Sequence, residues 1–153
     1  MPRPRLSPRH LAVVHEVARC GGVNAAARVL ALSQPAVTQA VAAVEAYFGI
    51  PLFDRHPGGM APSAAGRVGL ARIERALEAL RAGTAGLKRS SAGAAVERAI
   101  TGAQLDALIA VVQERGFAAA ARQLGIARPT LHRAARALER ATGSPVPPGR
   151  LIS

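Results

Sequence analysis

Residues 24–48 (NAAARVLALSQPAVTQAVAAVEAYF) have the pattern of two helices that meet at a short turn. Asn24 is expected to cap the first helix, because its side chain can accept a hydrogen bond from a free backbone amide. Residues 31–32 form the predicted turn. Ser33 is then expected to cap a second, longer helix, with Pro35 in its first turn, where a missing amide hydrogen costs nothing.

The longer helix is expected to present two different faces. Apolar side chains recur at steps of four, three and four residues, the spacing of one helical face, at Val37, Val41, Val44 and Phe48. The opposite side begins with uncharged hydrogen-bonding groups at Ser33, Gln34, Thr38 and Gln39. A helix with an apolar back and short polar groups at its exposed start suits the DNA major groove, where Gln can pair with base edges.

Four motifs in the first half of the chain indicate a family. They read AAAR at 25–28, LSQPAVTQ at 32–39, VE at 44–45 and FGIPLFDR at 48–55. Together they resemble the DNA-binding domain of LysR-type transcriptional regulators, over about residues 6–82. Gly-Val-Asn stands at 22–24 where that family usually has Ser-Phe-Thr, and no change of fold is expected from it. The resemblance implies a sequence-specific regulator whose partner is double-stranded DNA.

The polar face and the resemblance together indicate which residues bind DNA. Base readout in the major groove is assigned to the first turns of the longer helix. The residues concerned are Ser33, Gln34, Pro35, Thr38 and Gln39. Arg28, in the preceding helix, is a further candidate for a contact to the DNA backbone.

A small wing is predicted after the longer helix. Gly49 is expected to end that helix. Residues 51–54 and 60–62 then read as two strands around a turn at 56–59. The resemblance implies that Arg55 reaches the DNA beside the recognition helix. Either the minor groove, where negative potential is concentrated, or a simple phosphate would suit this arginine.

Ser63 is expected to cap another helix, whose apolar residues recur in a heptad pattern. The seam consists of Leu70, Ile73, Leu77, Leu80 and Leu87, with Thr84 in the remaining slot. Such a seam fits either a coiled-coil partner or the surface of its own domain. The resemblance favours the partner, because the linker helix of this family pairs two subunits, and it therefore implies a homodimer.

The second half of the chain repeats the pattern of the first at a constant offset of 94 residues. The matches include Leu11 with Leu105, Gly22 with Gly116, 25–28 with 119–122, Pro35 with Pro129, Glu45 with Glu139 and Gly49 with Gly143. About a third of the aligned positions are identical, without a gap. Matched Gly, Pro, Glu and Leu residues occupy positions that the fold determines. The constant register therefore indicates a second, degenerate copy of the domain.

The second copy differs at the positions assigned to base readout. The residues in the corresponding places are candidates for a second DNA-binding surface: Arg128, Pro129, His132 and Arg133. Arginine can pair with guanine, but equally with any phosphate. Three roles stay open for this copy: reading a second half-site, binding DNA without sequence preference, or packing without DNA contact. Arg55 has no clean equivalent, and Arg150 is the nearest candidate.

The composition agrees with a polyanionic partner. The net charge of +11 is carried almost entirely by arginine, because Lys88 is the only lysine. Nucleic acid is the first candidate for such a partner and an acidic membrane surface the second. A coding bias toward Ala, Arg and Gly explains a large share of this composition, so the motif carries the argument and the charge only agrees with it.

Enzymatic and metal chemistry are not expected. No nucleophile, base and orienting residue stand in a recognisable arrangement, so no catalytic residue is assigned. His10, His15, His56 and His132 lack the cysteine or carboxylate spacing of a metal site, and no cofactor-binding motif is present. Cys20, the only cysteine, is interpreted as a small core residue.

A membrane location is not expected either. The longest run without charge, residues 29–44, is too short and too polar to span a bilayer. No signal-peptide pattern precedes it. The sequence therefore predicts a cytoplasmic protein associated with the nucleoid.

The predicted fold is mainly α, with two winged helix-turn-helix domains at 1–62 and 101–153 and small β-hairpin wings. A linker or dimerisation helix at 63–89 and a flexible joint at 90–100 connect them. LysR-type regulators usually carry a large α/β effector-binding domain after the linker helix, and no such domain is expected in this chain. The chain is then either the first part of a longer regulator or a short regulator without a ligand sensor. Its abrupt end inside a wing favours the first.

A rival interpretation comes from another functional class. In it the helix-turn-helix domains are relics, and the chain is a protein-protein interaction module. Such a module would dimerise with a related regulator through the linker helix and bind DNA weakly or not at all.

Overall fold

The computed structural model describes residues 6–85 and 100–146. The chain divides into two compact units, Met1–Ala82 and Gly83–Ser153, which we call unit 1 and unit 2. Five of the predicted features fall partly or wholly outside the described residues. They are the end of the linker helix at 63–89, Leu87, most of the joint at 90–100, the second wing and Arg150.

Unit 1 begins with three helices and continues with a hairpin and a long helix. The helices are α1 (Pro8–Cys20), α2 (Val23–Leu30) and α3 (Gln34–Phe48). The strands are β1 (Phe53–His56) and β2 (Gly59–Pro62), and the long helix is α4 (Ala64–Ala85), whose last residues pass into unit 2. The described part of unit 2 contains α5 (Gly102–Gln113), α6 (Phe117–Leu124) and α7 (Arg128–Thr142).

The start of α2 differs from the prediction. Asn24 was expected at the cap, but α2 begins at Val23, and its N-cap is Gly22, which makes no side-chain cap hydrogen bond. The reason lies in the preceding turn. Gly21 closes α1 in the left-handed conformation (φ 72°), and the extended Gly22 (φ 167°) then redirects the chain directly into α2. Asn24 is therefore inside the helix.

The predicted helix-turn-helix is confirmed. Ala31 takes the left-handed conformation at the turn (φ 52°, ψ 43°), and the Leu32 amide donates to the Ala27 carbonyl at 2.9 Å. Ser33 Oγ then accepts from the Ala36 amide at 3.3 Å, as expected of an N-cap. At the other end Gly49 terminates α3 in the left-handed conformation (φ 70°).

One hydrophobic core holds unit 1 together. The predicted face of α3 lies in it, with Val37, Val41 and Val44 buried and Phe48 half-buried against them. On α1, Val13, Val14 and Val17 belong to the same core. This packing fixes α3 with its apolar side inward, so the opposite side is left at the surface.

The wing is present but shifted from the predicted positions. Strand β1 starts at Phe53, two residues later than expected, and the hairpin turn consists of residues 57–58 because His56 still pairs with Gly59. The Met60 amide donates to the Gly21 carbonyl at 2.9 Å, which ties the wing to the end of α1.

The turn from the wing into α4 is tightly packed. As predicted, Ser63 caps α4: its Oγ accepts from the Gly66 amide at 2.8 Å and donates to the Pro51 carbonyl at 2.9 Å. A Cβ added at Gly66 would lie 1.9 Å from the Leu52 carbonyl oxygen. Glycine at this place lets α4 approach the backbone of the wing.

The heptad seam of α4 needs a correction. Ile73 and Leu77 are 2% and 1% exposed and belong to the core of unit 1, and Leu70 packs half-buried against the same core. These three side chains therefore cover their own unit and are not free to face a partner helix. Leu80 is half-buried. The interpretation that the seam lies against its own domain holds for this part of α4.

Unit 2 shows the same backbone pattern as the start of unit 1. Helices α6 and α7 begin and end 94 residues after α2 and α3. Thr101 and Gln104 form a capping box at α5, as Ser7 and His10 do at α1. Gly143 ends α7 in the left-handed conformation, as Gly49 ends α3.

No single helix of the described residues is long and apolar enough to cross a membrane. Helices α2 and α3 reach the required length and apolar character only as a pair, and they are bent by 113° relative to each other.

Candidate nucleic-acid interface

The residues predicted to read bases lie together at the surface. All five are exposed along the first turns of α3: Ser33, Gln34, Pro35, Thr38 and Gln39. Gln34, Thr38 and Gln39 make no side-chain hydrogen bond to another described residue. Their amide and hydroxyl groups are available to an external partner, on the side of the helix opposite the buried valines.

A carboxylate inside unit 1 fixes how α3 meets the wing. Glu45 Oε1 accepts a hydrogen bond from the Leu52 amide at 2.7 Å, immediately before β1. A charged acceptor makes this bond stronger than a neutral one. In the sequence, Glu45 stands out only as a position of the repeat. The available signal was that Glu139, at the same offset, is also followed seven residues later by an apolar residue, Val146.

The two further arginine candidates are exposed. Arg55 lies on β1 opposite Met60, and Arg28 lies in the last turn of α2. Neither guanidinium forms an ion pair within the described part of the chain. Their positive charges are therefore not neutralised internally, which leaves them available to phosphate groups.

Cys20 is held in a small polar cluster at the end of α1. Its thiol donates to Glu16 Oε1 at 3.1 Å, and Arg19 pairs with the same carboxylate. The bond from Arg19 lowers the pKa of Glu16. The bond to Glu16, helped by burial, raises the pKa of the Cys20 thiol, so the thiol stays protonated at neutral pH and is a poor nucleophile.

The corresponding helix of unit 2 carries a different set of side chains. Arg128, Pro129 and Arg133 are exposed, as predicted. His132 is half-buried because its ring stacks on that of Phe117, with centroids 4.3 Å apart and planes 9° from parallel. His132 was predicted only as a possible DNA-binding residue, and this stack was not foreseen. The sequence did contain a signal for this stack. Positions 117 and 132 both carry a ring, whereas the corresponding positions of unit 1 are Val23 and Thr38.

The sequence family is shown by a direct match. The sequence model described as "Bacterial regulatory helix-turn-helix protein, lysR family" matches residues 8–67 and 103–146. The matched ranges cover α1 to the start of α4 in unit 1, and α5 to α7 in unit 2.

Curated relatives and solved structures agree. The chain is 32% identical over 130 residues to the HTH-type transcriptional regulator GalR of Pseudomonas putida, covering 85% of this chain and 32% of the relative. It is 41% identical over 66 residues to the regulator TdcA of Escherichia coli, covering 43% of this chain and 21% of the relative. The chain thus spans a third or less of the length of these relatives.

A solved structure shares the fold. A mutant of OxyR from Corynebacterium glutamicum aligns with a TM-score of 0.51 and 27% identity, covering 58% of this chain and 27% of that one. The matched proteins are transcriptional regulators rather than enzymes. The chain therefore belongs to the lysR family of bacterial regulatory helix-turn-helix proteins, and unit 1 is a DNA-binding domain of that family.

Proposed function

We propose that this chain reads the sequence of double-stranded DNA through the first turns of α3 and so directs a transcriptional regulator to its sites, in the cytoplasm at the nucleoid. The observation that carries the proposal is the exposure of Gln34, Thr38 and Gln39, whose side chains have no hydrogen-bond partner among the described residues. The buried valines hold the opposite face of the same helix, so the orientation of the helix that carries the polar groups is fixed.

The chemistry of these side chains suits base edges in the major groove. A glutamine amide can pair bidentately with adenine N6 and N7, and a threonine hydroxyl can pair with either kind of group. Ser33 Oγ accepts the Ala36 amide, which leaves its hydroxyl hydrogen and one lone pair for DNA. Pro35 presents apolar atoms that suit a thymine methyl group.

Arg55 is proposed to bind the DNA backbone or the minor groove beside α3. The support is its exposure on β1 and the pairing of that strand with β2, which is in turn tied to α1 through the Met60 amide. This pairing fixes the backbone from which the arginine extends. Arg28 is proposed to add a backbone contact from α2.

A homodimer remains part of the proposal, with its contact surface revised. Because Ile73 and Leu77 are engaged in unit 1, pairing through α4 requires a different face of this helix. Val68 is 60% exposed on α4 and lies on such a face. Sedimentation of Val68→Glu should then show a shift from dimer to monomer, and a monomeric unsubstituted chain would contradict dimerisation.

The decisive experiment compares sequence preference between two glutamine variants. A preferred site is first selected from a random duplex pool with the whole chain. Gln34→Ala should weaken binding to that site by about 1–3 kcal/mol and relax the preference at one position. Gln113→Ala removes an exposed glutamine from α5 and should change neither quantity. Unchanged preference in Gln34→Ala would show that α3 does not read bases.

The wing is tested through salt dependence. Arg55→Ala should weaken binding to all duplexes and lower the slope of log affinity against log salt by about 1, because one phosphate contact is lost. A slope equal to that of the unsubstituted chain would show that the wing stays off the DNA.

A further inference from the structure

The exposed side of α7 is a continuous arginine surface. With about 100° per residue, Arg128, Arg136, Arg140 and Arg133 fall within an arc of about 140° along the helix. All four are exposed, while Leu131, Ala135 and Leu138 on the other side are buried. We call these four arginines the α7 stripe.

The α7 stripe is positively charged and largely unpaired. Arg128, Arg136 and Arg140 make no ion pair or hydrogen bond with another described residue, and Arg133 bonds only to the neutral Thr130 hydroxyl. Glu139, the acidic residue of the helix, forms no ion pair with them within the described residues, and its Oε1 accepts from the Val146 amide at 2.9 Å. Four like charges on one helical face repel one another in the free protein, and a bound polyanion would relieve this repulsion.

The same helix has lost the groups that read bases. Where α3 has Gln34 and Gln39, α7 has Arg128 and Arg133, and the position of Thr38 holds a histidine that is stacked on Phe117. The short side chains Ala42 and Ala46 of α3 become Arg136 and Arg140. Arginines spread over the whole length of a helix match the phosphates along a groove, whereas base readout uses a few residues near one end.

We propose that unit 2 binds double-stranded DNA through its phosphates, without sequence preference, by means of the α7 stripe. This inference builds on the proposed reading of DNA by unit 1 and gives the second unit a separate task. Unit 2 holds duplex near the protein and raises total affinity, and unit 1 supplies the choice of sequence. Coupling two modules in one chain raises affinity because the second binding event is intramolecular.

The test uses the whole chain and a duplex that lacks the preferred site of unit 1. Binding is followed by fluorescence anisotropy over a series of salt concentrations. Arg136→Gln with Arg140→Gln should lower the slope of log affinity against log salt by about 1.8, which corresponds to about 60-fold weaker binding at 0.1 M salt. An unchanged slope would overturn the proposal, whatever the sequence preference of unit 1 is.

Two matched double variants serve as controls. The first tests whether the position of the removed charges matters, and the second tests whether unit 2 reads bases. Arg9→Gln with Arg115→Gln removes two exposed charges elsewhere and should leave the slope unchanged. Arg136→Lys with Arg140→Lys should keep the slope, because the number of released counterions follows the number of positive charges. If the lysine variant instead loses preference between duplexes, unit 2 reads bases and the proposal is wrong.

Two further outcomes fix the partner and the independence of the two units. In competition with vesicles of anionic phospholipid, duplex should remain bound, and displacement by the vesicles would overturn DNA as the partner. Gln34→Ala should leave binding to the nonpreferred duplex intact. If Gln34→Ala also abolishes that binding, unit 1 provides the nonspecific affinity and the proposed role of unit 2 is wrong.

Discussion

Helices α3 and α7 have the same backbone conformation, but their exposed side chains differ in charge and length. Each has 15 residues, a proline in its first turn and a left-handed glycine after its last residue. In each, an internal glutamate accepts an amide seven residues further along the chain. Yet the exposed side is short and uncharged on α3 and carries four arginines on α7. The residues that set this backbone are thus few, and most positions of the outer face can differ between the two helices.

The cores of the two units also differ. The largest fully buried side chains of the described residues are Leu52, Ile73 and Leu77 in unit 1 and Leu131 in unit 2. Those of unit 1 come from the segment before the wing and from α4. On α5, Ile109 is 51% exposed, whereas His15, which occupies the same place on α1, lies 4.0 Å from Glu74 of α4. Within residues 100–146, unit 2 therefore contains fewer large, fully buried side chains than unit 1.

The first prediction tests this difference between the two cores. Leu131→Ala should destabilise unit 2 by about 2–5 kcal/mol, because it empties the site of its largest fully buried side chain. Val37→Ala, at the same place in unit 1, removes less volume and should cost about 1–3 kcal/mol. Hydrogen exchange should show loss of protection in α5 to α7 for Leu131→Ala. Equal loss in α1 to α3 would show that the two units do not unfold separately.

The second prediction concerns the glutamates that the two units share. Glu45→Ala should destabilise unit 1 by about 1.5–3 kcal/mol, since a hydrogen bond to a charged acceptor is lost and the Leu52 amide is left without a partner. Glu139→Ala should act in the same sense and less strongly, because its bond to the Val146 amide is longer. Urea unfolding of both variants and of Glu45→Gln, which keeps an acceptor, measures the difference. A larger loss in Glu45→Gln than in Glu45→Ala would contradict this role.

Much of the fold could be predicted because its signals are local. Ser33, Pro35 and Gly49 fix the ends of α3 through short-range hydrogen bonds and backbone angles, and the valine spacing fixes which face is buried. The start of α2 was predicted wrongly because Gly21 and Gly22 turn the chain by their backbone conformation alone. No side-chain cap is needed there, so a nearby polar residue such as Asn24 was misleading.

The errors at the sites have a different physical cause. A three-four spacing defines an apolar face, but it does not say what covers that face, and Ile73 and Leu77 cover their own unit. His132 was a possible DNA-binding residue by its place on a helix, and the stacking of its ring on Phe117 from the neighbouring helix was not foreseen. Contacts between elements decide both cases, and they are not contained in the pattern of one element.

The third and smallest predicted effect compares the two N-caps. Ser33 and Ala127 have nearly the same extended backbone, at φ −72° and −67°. In unit 2 the Thr130 amide donates to the Ala127 carbonyl at 2.9 Å, a bond that replaces the side-chain cap. Because the backbone can take over in this way, Ser33→Ala should cost only about 0.5 kcal/mol, the low end of the range for such caps.

The reciprocal substitution completes the comparison. Ala127→Ser should stabilise unit 2 by a similar amount, about 0.5 kcal/mol, because its hydroxyl must compete with the existing backbone bond for the Thr130 amide. Urea unfolding of the two variants against the unsubstituted chain measures both changes. A loss of about 2 kcal/mol in Ser33→Ala would show that α3 has no backbone substitute for its cap. The two helix starts would then differ in backbone hydrogen bonding as well as in their side chains.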